Sequence, residues 1–318
     1  MGLAALALSA CTLPTKEASS LGVLQPASFT EPQNTSFTEP QNNRRDFELN
    51  GPGGTLMVSE WTPDGPTELT LVAVHGFSDY GPSTFGGAAE YWATRGIRTI
   101  AYDQRGFGRN PSRGDWPGAN ALIEDLRHVT DYARKDDSKT PLAVVGHSMG
   151  GAVVTAAIGE GLIAPERAAI LGPALWGGSN LPPGFRVLAG TAAFLFPDKR
   201  WTGDGIVQIQ ASDNIEALRR LGRDPLYLRN PSSREFLGLI RLMDRADKAA
   251  PNMNTPMLVL YGAMDEAVPE EPILETIARF GRPATYEVVE TGWHLLLRDL
   301  QAEIVHKRVA DYLLAERL

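Results

Sequence analysis

A serine with glycine two positions away on each side stands at Gly146-His147-Ser148-Met149-Gly150, after the apolar run Pro141-Leu-Ala-Val-Val145 and before the small-residue stretch Met149 to Gly159. A strand that turns sharply into a helix holds such a serine on a strained corner, where neighbouring side chains collide with backbone unless they are small. Gly146, Gly150 and Gly151 meet that need, which makes Ser148 the candidate nucleophile for acyl transfer. Its hydroxyl is inert until a base removes the proton, and histidine has the pKa to take that proton and return it to a leaving group. Of five histidines, His294 in Glu290-Thr-Gly-Trp-His294 follows the last strand-like run and is the candidate base. His147 adjoins Ser148 but points away from it in such a turn, a packing position. His128 and His306 fall within helical patterns. The base needs an acid to fix its tautomer, and Asp265 in Tyr261-Gly-Ala-Met-Asp265 is the candidate, with Glu266 as its rival. Asp299, after the base, is read as helix N-terminal chemistry, and Asp103 as part of a structural turn.

The elements that must position these residues alternate along the chain. Short strands around Phe47 to Asn50 and Thr55 to Trp61 form a leading hairpin across the Gly-Pro-Gly-Gly turn at 51–54. Leu69-Thr-Leu-Val-Ala-Val74 is a continuous apolar run of the kind covered on both faces. Residues 87–95 read as a helix, Arg98 to Tyr102 as a strand, Ala119 to Lys135 as a helix, and Ala168 to Leu171 as a strand. Pro256 to Tyr261 and Thr285 to Glu290 add two strands, with Ile273 to Phe280 as the helix between them and Ala302 to Leu314 as a final helix. This predicts an α/β fold: a mostly parallel central sheet with helices on both faces. Residues 46–172 and 253–318 form its core, and 173–252, rich in Pro, Gly and Trp, form an inserted helical cap. An oxyanion hole on such a scaffold uses the N–H after the nucleophile, that of Met149, and one from the loop after an early strand, here Phe77 in Val74-His75-Gly76-Phe77. His75 is a hydrogen-bonding brace for that loop.

The formal net charge of -8 opposes binding to a nucleic-acid backbone, and no basic patch is visible. One cysteine rules out an internal disulfide framework and a Cys-rich metal site, and no His-Glu-x-x-His pattern is present, so no metal is expected. That cysteine, Cys11, ends Leu6-Ala7-Leu8-Ser9-Ala10-Cys11, which resembles a bacterial lipoprotein cleavage box. Residues 1–11 are then a lipoprotein signal. Residues 12–45, rich in Ser, Thr, Pro, Gln and Asn, read as a disordered tether in which Ser28-Phe-Thr-Glu-Pro-Gln-Asn34 recurs at Ser36 to Asn42. This places the protein in the bacterial cell envelope, attached to membrane through Cys11 and facing the periplasm. An unmodified thiol on an apolar N-terminus places it in the cytoplasm instead.

His75-Gly76, Asp103-Gln-Arg-Gly-Phe-Gly108, Gly146-His-Ser-Met-Gly-Gly151, Tyr261-Gly-Ala-Met-Asp265 with Val268-Pro269, and Gly292-Trp-His294 together resemble the monoglyceride lipase and lysophospholipase-like (serine aminopeptidase S33-type) branch of the α/β-hydrolases. The likeness covers residues 46–318 and includes Ala211-Ser-Asp-Asn214 and Asp224-Pro225-Leu226 in the cap. It implies cleavage of carboxylic esters of acylglycerols or lysophospholipids, small lipophilic substrates, through an acyl-enzyme and without a cofactor. Trp176, Phe185, Phe194 and Phe196 are the cap residues expected to line an acyl pocket or to face lipid; a second small core is the other reading of them. An amidase or aminopeptidase, or an acyltransferase, on the same scaffold stays open, as does a non-catalytic surface lipoprotein.

Overall fold

The structure, a computed structural model, describes residues 23–24, 43–51, 53–136, 139–177, 180–181, 183–201 and 209–315. In chain order they form β1 (Val23–Leu24), β2 (Arg44–Gly51), β3 (Gly54–Trp61), β4 (Leu69–Val74), α1 (Gly81–Thr94), β5 (Ile97–Tyr102), α2 (Ala119–Asp136), β6 (Leu142–His147), α3 (Met149–Gly159) and β7 (Arg167–Leu171). The cap helices α4 (Pro183–Leu195), α5 (Ile215–Arg223) and α6 (Ser233–Ala249) follow, then β8 (Met257–Gly262), α7 (Glu270–Ile277), β9 (Thr285–Val289) and α8 (Ala302–Leu314).

The described strands make one sheet in the order β1-β9-β8-β7-β6-β4-β5-β3-β2. Neighbours pair in parallel from β1 through β5, and β3 alone runs antiparallel to both its partners. β4, β5, β6 and β8 are buried at every residue, as continuous apolar runs demand when both faces are covered. Alternate side chains divide between the faces. Val72, Val74, Ile100, Val144 and Val259 pack with Leu126 of α2, Val153 of α3 and Ile273 of α7. Leu71, Ala73, Val145, Leu171 and Leu260 meet Phe85 and Trp92 of α1 and Val309 of α8 on the other face. With the parallel strands aligned, their C-terminal ends gather at one edge of the sheet, where Val74, His147, Leu171 and Gly262 all end.

Two helices differ from their sequence reading. α1 begins at Gly81, six residues before the expected 87, because Gly-Pro-Ser-Thr-Phe-Gly-Gly reads as loop. Pro82 in a first turn is compatible with a helix, and the buried Asp103 carboxylate accepts the Gly81 N–H at 3.0 Å. α7 spans Glu270 to Ile277 instead of Ile273 to Phe280: Pro269 precedes it and Glu270 and Glu271 supply first-turn negative charge, a polar start that hydrophobic periodicity overlooks.

The stretch read as a disordered tether to residue 45 is not wholly so: Val23 and Leu24 pair with Val288 and Val289, and β2 begins at Arg44, ahead of the expected Phe47. Arg44 and Arg45 are edge-strand residues tied to Asp46 and Glu60 at 2.8 and 2.6 Å, a charged pattern without apolar alternation. Within 173–252, Ala174, Leu181, Ala189, Ile240 and Met243 form a small separate core. The last cap helix also belongs to the main body. Leu242 and Ala246 of α6 join the central core, and a Cβ on Gly159 of α3 would stand 2.4 Å from the Ala249 carbonyl oxygen.

Candidate active site

Ser148 joins the end of β6 to the start of α3 with φ 52 and ψ -117, a conformation that costs a non-glycine residue about 1–3 kcal/mol. The surrounding backbone imposes it: Ser148 N–H donates to the Leu171 carbonyl at 3.0 Å, and the Ser148 carbonyl accepts from Gly151 and Ala174, both at 2.9 Å. The turn closes only without side chains beside it. A Cβ on Gly146 would lie 2.5 Å from the Gly150 carbonyl oxygen, and one on Gly150 would lie 2.0 Å from that of Val74. Both obstacles are backbone. Gly150→Ala is therefore expected to lower stability by about 3 kcal/mol or more, or to prevent folding. Gly86→Ala, at a helical position with nothing within 4 Å, serves as the control and should be neutral or slightly stabilising in the same thermal melt.

Ser148, His294 and Asp265 form a continuous hydrogen-bonded line. His294 Nε2 lies 3.0 Å from Ser148 Oγ, and His294 Nδ1 lies 2.8 Å from Asp265 Oδ2. The carboxylate can only accept from Nδ1, so it fixes the imidazole proton there and leaves the Nε2 lone pair facing the serine hydroxyl. Asp265 is itself held by its other oxygen, Oδ1, which accepts the N–H groups of Ala267 at 2.8 Å and Val268 at 3.0 Å. Burial pushes this carboxyl up, but His294 and the two backbone donors outweigh burial and hold it below the ordinary aspartate value. Glu266, the rival acid, reaches away and accepts the Gln210 N–H at 2.8 Å.

Beside the serine lies the loop after β4. A Cβ on Gly76 would meet Ser148 Cβ at 3.2 Å, which brings the 76–77 peptide close to that side chain. Among the described residues neither the Phe77 nor the Met149 N–H meets an acceptor, and Met149 opens α3, where the helix dipole favours negative charge. Two neutral histidines brace the surroundings. His75 Nδ1 donates to the Gly76 carbonyl at 2.7 Å while Nε2 accepts the Gln104 N–H at 2.8 Å, and burial lowers its pKa. His147 Nε2 donates to the His294 carbonyl at 2.9 Å; burial, then the neighbouring His294 ring at 5.2 Å, push its pKa down to about 3. A brace missed in the sequence is the buried Asp79, which pairs with Arg298 and so joins the Phe77 loop to the His294 loop. An aspartate four residues after His75 and an arginine four after His294 carried no local signal of that pairing.

The remaining candidates lie apart from this line. Trp176 and Phe185 pack against the small cap core, and Trp176 Nε1 donates to the Asn180 carbonyl at 3.1 Å. Phe194 and Phe196 face outward, 84% and 57% exposed, together with Val187 and Leu195. His128 Nε2 bonds the Asn50 carbonyl at 2.9 Å and His306 Nε2 that of Leu297 at 3.1 Å, both structural contacts. Asp103 takes the Gly81 N–H and the Arg109 guanidinium, a structural turn. Cys11 lies outside the described residues. Among the described residues no group of three or more His, Cys, Asp and Glu side chains is arranged to hold a metal ion, and no helix is long and apolar enough to cross a membrane.

A mostly parallel sheet whose strands end at a serine elbow, with acid and histidine following in that chain order, defines the α/β-hydrolase class. The family model for serine aminopeptidase S33 matches residues 65–301, and the chain belongs to that family. It is 26% identical over 235 residues to a monoacylglycerol lipase of Mycolicibacterium smegmatis, covering 71% of this chain and 81% of that one. To a human monoglyceride lipase it is 24% identical over 258 residues, covering 79% and 84%. The crystal structure of a Paleococcus ferrophilus monoacylglycerol lipase superposes with a TM-score of 0.69 at 21% identity, covering 81% of this chain and 98% of that one.

Proposed function

We propose that the protein is a serine ester hydrolase acting on small lipophilic esters of the monoacylglycerol kind, with Ser148 as nucleophile, His294 as base and Asp265 as its orienting acid. The observation that carries this is the hydrogen-bonded line from Asp265 through His294 to a serine held at φ 52. In the reaction Ser148 Oγ attacks the ester carbonyl as His294 Nε2 takes its proton. The Phe77 and Met149 N–H groups receive the negative charge that develops on the carbonyl oxygen. His294 then passes the proton to the departing alcohol, leaving the acyl group on Ser148, and the same histidine activates the water that releases the carboxylic acid.

The substrate class draws support from the names carried by the curated relatives and from the apolar side chains that α4 and its C-terminal end present to the surroundings. Turnover of glycerol monoesters of increasing acyl length, set beside amino-acid amides, tests it. Preference for the esters with a dependence on chain length is expected; amide cleavage at a higher kcat/KM overturns the ester reading, and acyl transfer to added alcohol in preference to water makes it a transferase. Phe194 and Phe196 are assigned to contact with aggregated lipid. Replacing both by serine should weaken turnover of micellar monoacylglycerol by about tenfold or more, as the burial of two such rings implies, and leave a dissolved short ester unaffected. Equal losses on both substrates count against that assignment. Attachment to the cell envelope rests on Leu6 to Cys11 alone, and incorporation of labelled fatty acid into the full chain but not into Cys11→Ser is its test.

A further inference from the structure

Asp299 sits beneath the loop that carries His294, and its two oxygens serve different parts of the molecule. Oδ2 accepts the backbone N–H of Trp293, the residue before His294, at 2.8 Å. Oδ1 accepts the hydroxyl of Ser212, a cap residue, at 2.6 Å, and that hydroxyl is oriented by the Asn214 N–H at 3.1 Å. Asp299 and Ser212 are both buried. The helix N-terminal role expected for this aspartate is filled by its carbonyl, which accepts the Ala302 N–H at 3.0 Å, so the side chain is free for the other task.

Around this carboxylate, residues 210–214 of the cap are fastened to both catalytic loops. The Leu295 N–H donates to the Ala211 carbonyl at 2.9 Å, Asn214 Nδ2 to the Arg298 carbonyl at 2.9 Å, and the Leu300 N–H to Asp213 Oδ1 at 2.8 Å. The Gln210 N–H bonds Glu266, next to Asp265. A buried carboxylate is a costly way merely to fill space, because burial opposes its charge; here Ser212 and Trp293 offset that only in part, and its pKa stays raised.

We propose that Asp299 is a positioning residue: by holding the Trp293 N–H and the Ser212 hydroxyl at once, it lets the cap fix where His294 stands relative to Ser148. This rests on the assignment of Ser148 and His294 given above. A base displaced by about 1 Å can cost on the order of 100-fold in rate while substrate affinity is little altered.

The test is steady-state kinetics on a dissolved short ester for Asp299→Ala, Asp299→Asn and Ser212→Ala, with fluorophosphonate labelling and a thermal melt for each. Alanine at 299 loses both links; asparagine keeps an oxygen for Trp293 and an amide that can donate to a turned Ser212 hydroxyl. Asp299→Ala should lower kcat about 10- to 100-fold with KM within about threefold, and Asp299→Asn should return kcat to within about threefold of the parent. Ser212→Ala, which loses only the cap link, should fall between them. Asp299→Ala with more than half the parent kcat, or Asp299→Asn as impaired as Asp299→Ala, overturns the proposal. Should Asp299→Ala not fold, Ser212→Ala with unchanged kcat overturns it as well. The two readings separate in the labelling: a parent enzyme whose probe does not attach to Ser148 refutes the catalytic assignment, whereas slower attachment to Ser148 in Asp299→Ala supports the positioning role.

Discussion

Replacing Ser148 by alanine is expected to lower turnover of a dissolved ester by on the order of 10⁴–10⁶-fold and to abolish fluorophosphonate labelling. The loss is large because, among the described residues, the hydroxyl hydrogen-bonded to His294 Nε2 is that of Ser148, at 3.0 Å. The fold should be indifferent, since the contacts that hold the turn are made by the Ser148 backbone, to Leu171, Gly151 and Ala174. Ser148→Gly separates chemistry from strain still more clearly. With φ at 52 the side chain costs about 1–3 kcal/mol, and glycine avoids that while losing about 0.5–1 kcal/mol to chain entropy. The inactive glycine variant should thus be more stable than the parent by about 1 kcal/mol in urea unfolding. Retained turnover in Ser148→Ala refutes the nucleophile.

Asp265→Asn is expected to reduce kcat by about 10⁴-fold while leaving the geometry intact. The direction follows from what surrounds the carboxylate. Oδ1 accepts two backbone N–H groups, from Ala267 and Val268, so the asparagine oxygen stays on that side and its NH₂ turns toward His294. Donation from that NH₂ requires Nδ1 to accept, which moves the imidazole proton to Nε2 and removes the lone pair that Ser148 needs. Stability changes with pH in a linked way. Because the folded Asp265 carboxyl lies below its ordinary value of 3.8, it contributes stability above that pH, and the contribution is lost as pH falls through the lower folded value. Unfolding midpoints of the parent and of Asp265→Asn should therefore differ at every pH above about 3.8 and converge as pH falls below it. A difference that goes on growing below that pH contradicts a carboxyl held low in the folded protein.

The cap variants bear on a separate matter, whether the exposed face of the cap meets the proposed lipid substrate. Val187, Phe194, Leu195 and Phe196 are exposed although apolar, whereas Trp176 and Phe185 are drawn into packing. Trp176, Phe185, Phe194 and Phe196 read alike in the sequence, where an aromatic residue in an irregular segment has no face. A helix acquires one only when it is laid against a neighbour: α4 packs on α6, and what remains of α4 points away. The two-residue strand β1 and the polar start of α1 escaped notice for a related reason, since each is stabilised by partners far along the chain, Val288 and Val289 in one case and Asp103 in the other.

By itself the sequence determined the alternation of strands and helices, the glycine-flanked turn at Ser148, and the choice of His294 and Asp265 from their places just after β9 and β8. These are local matters, fixed by side-chain period, by the absence of Cβ atoms and by chain order. Only the tertiary structure decided which polar groups share a hydrogen bond: Asp79 with Arg298, His147 with the His294 carbonyl, and Asp299 with both Trp293 and Ser212. Such pairs join residues up to 219 positions apart, and a lone aspartate or arginine gives no hint of its partner until burial forces each polar group to find one.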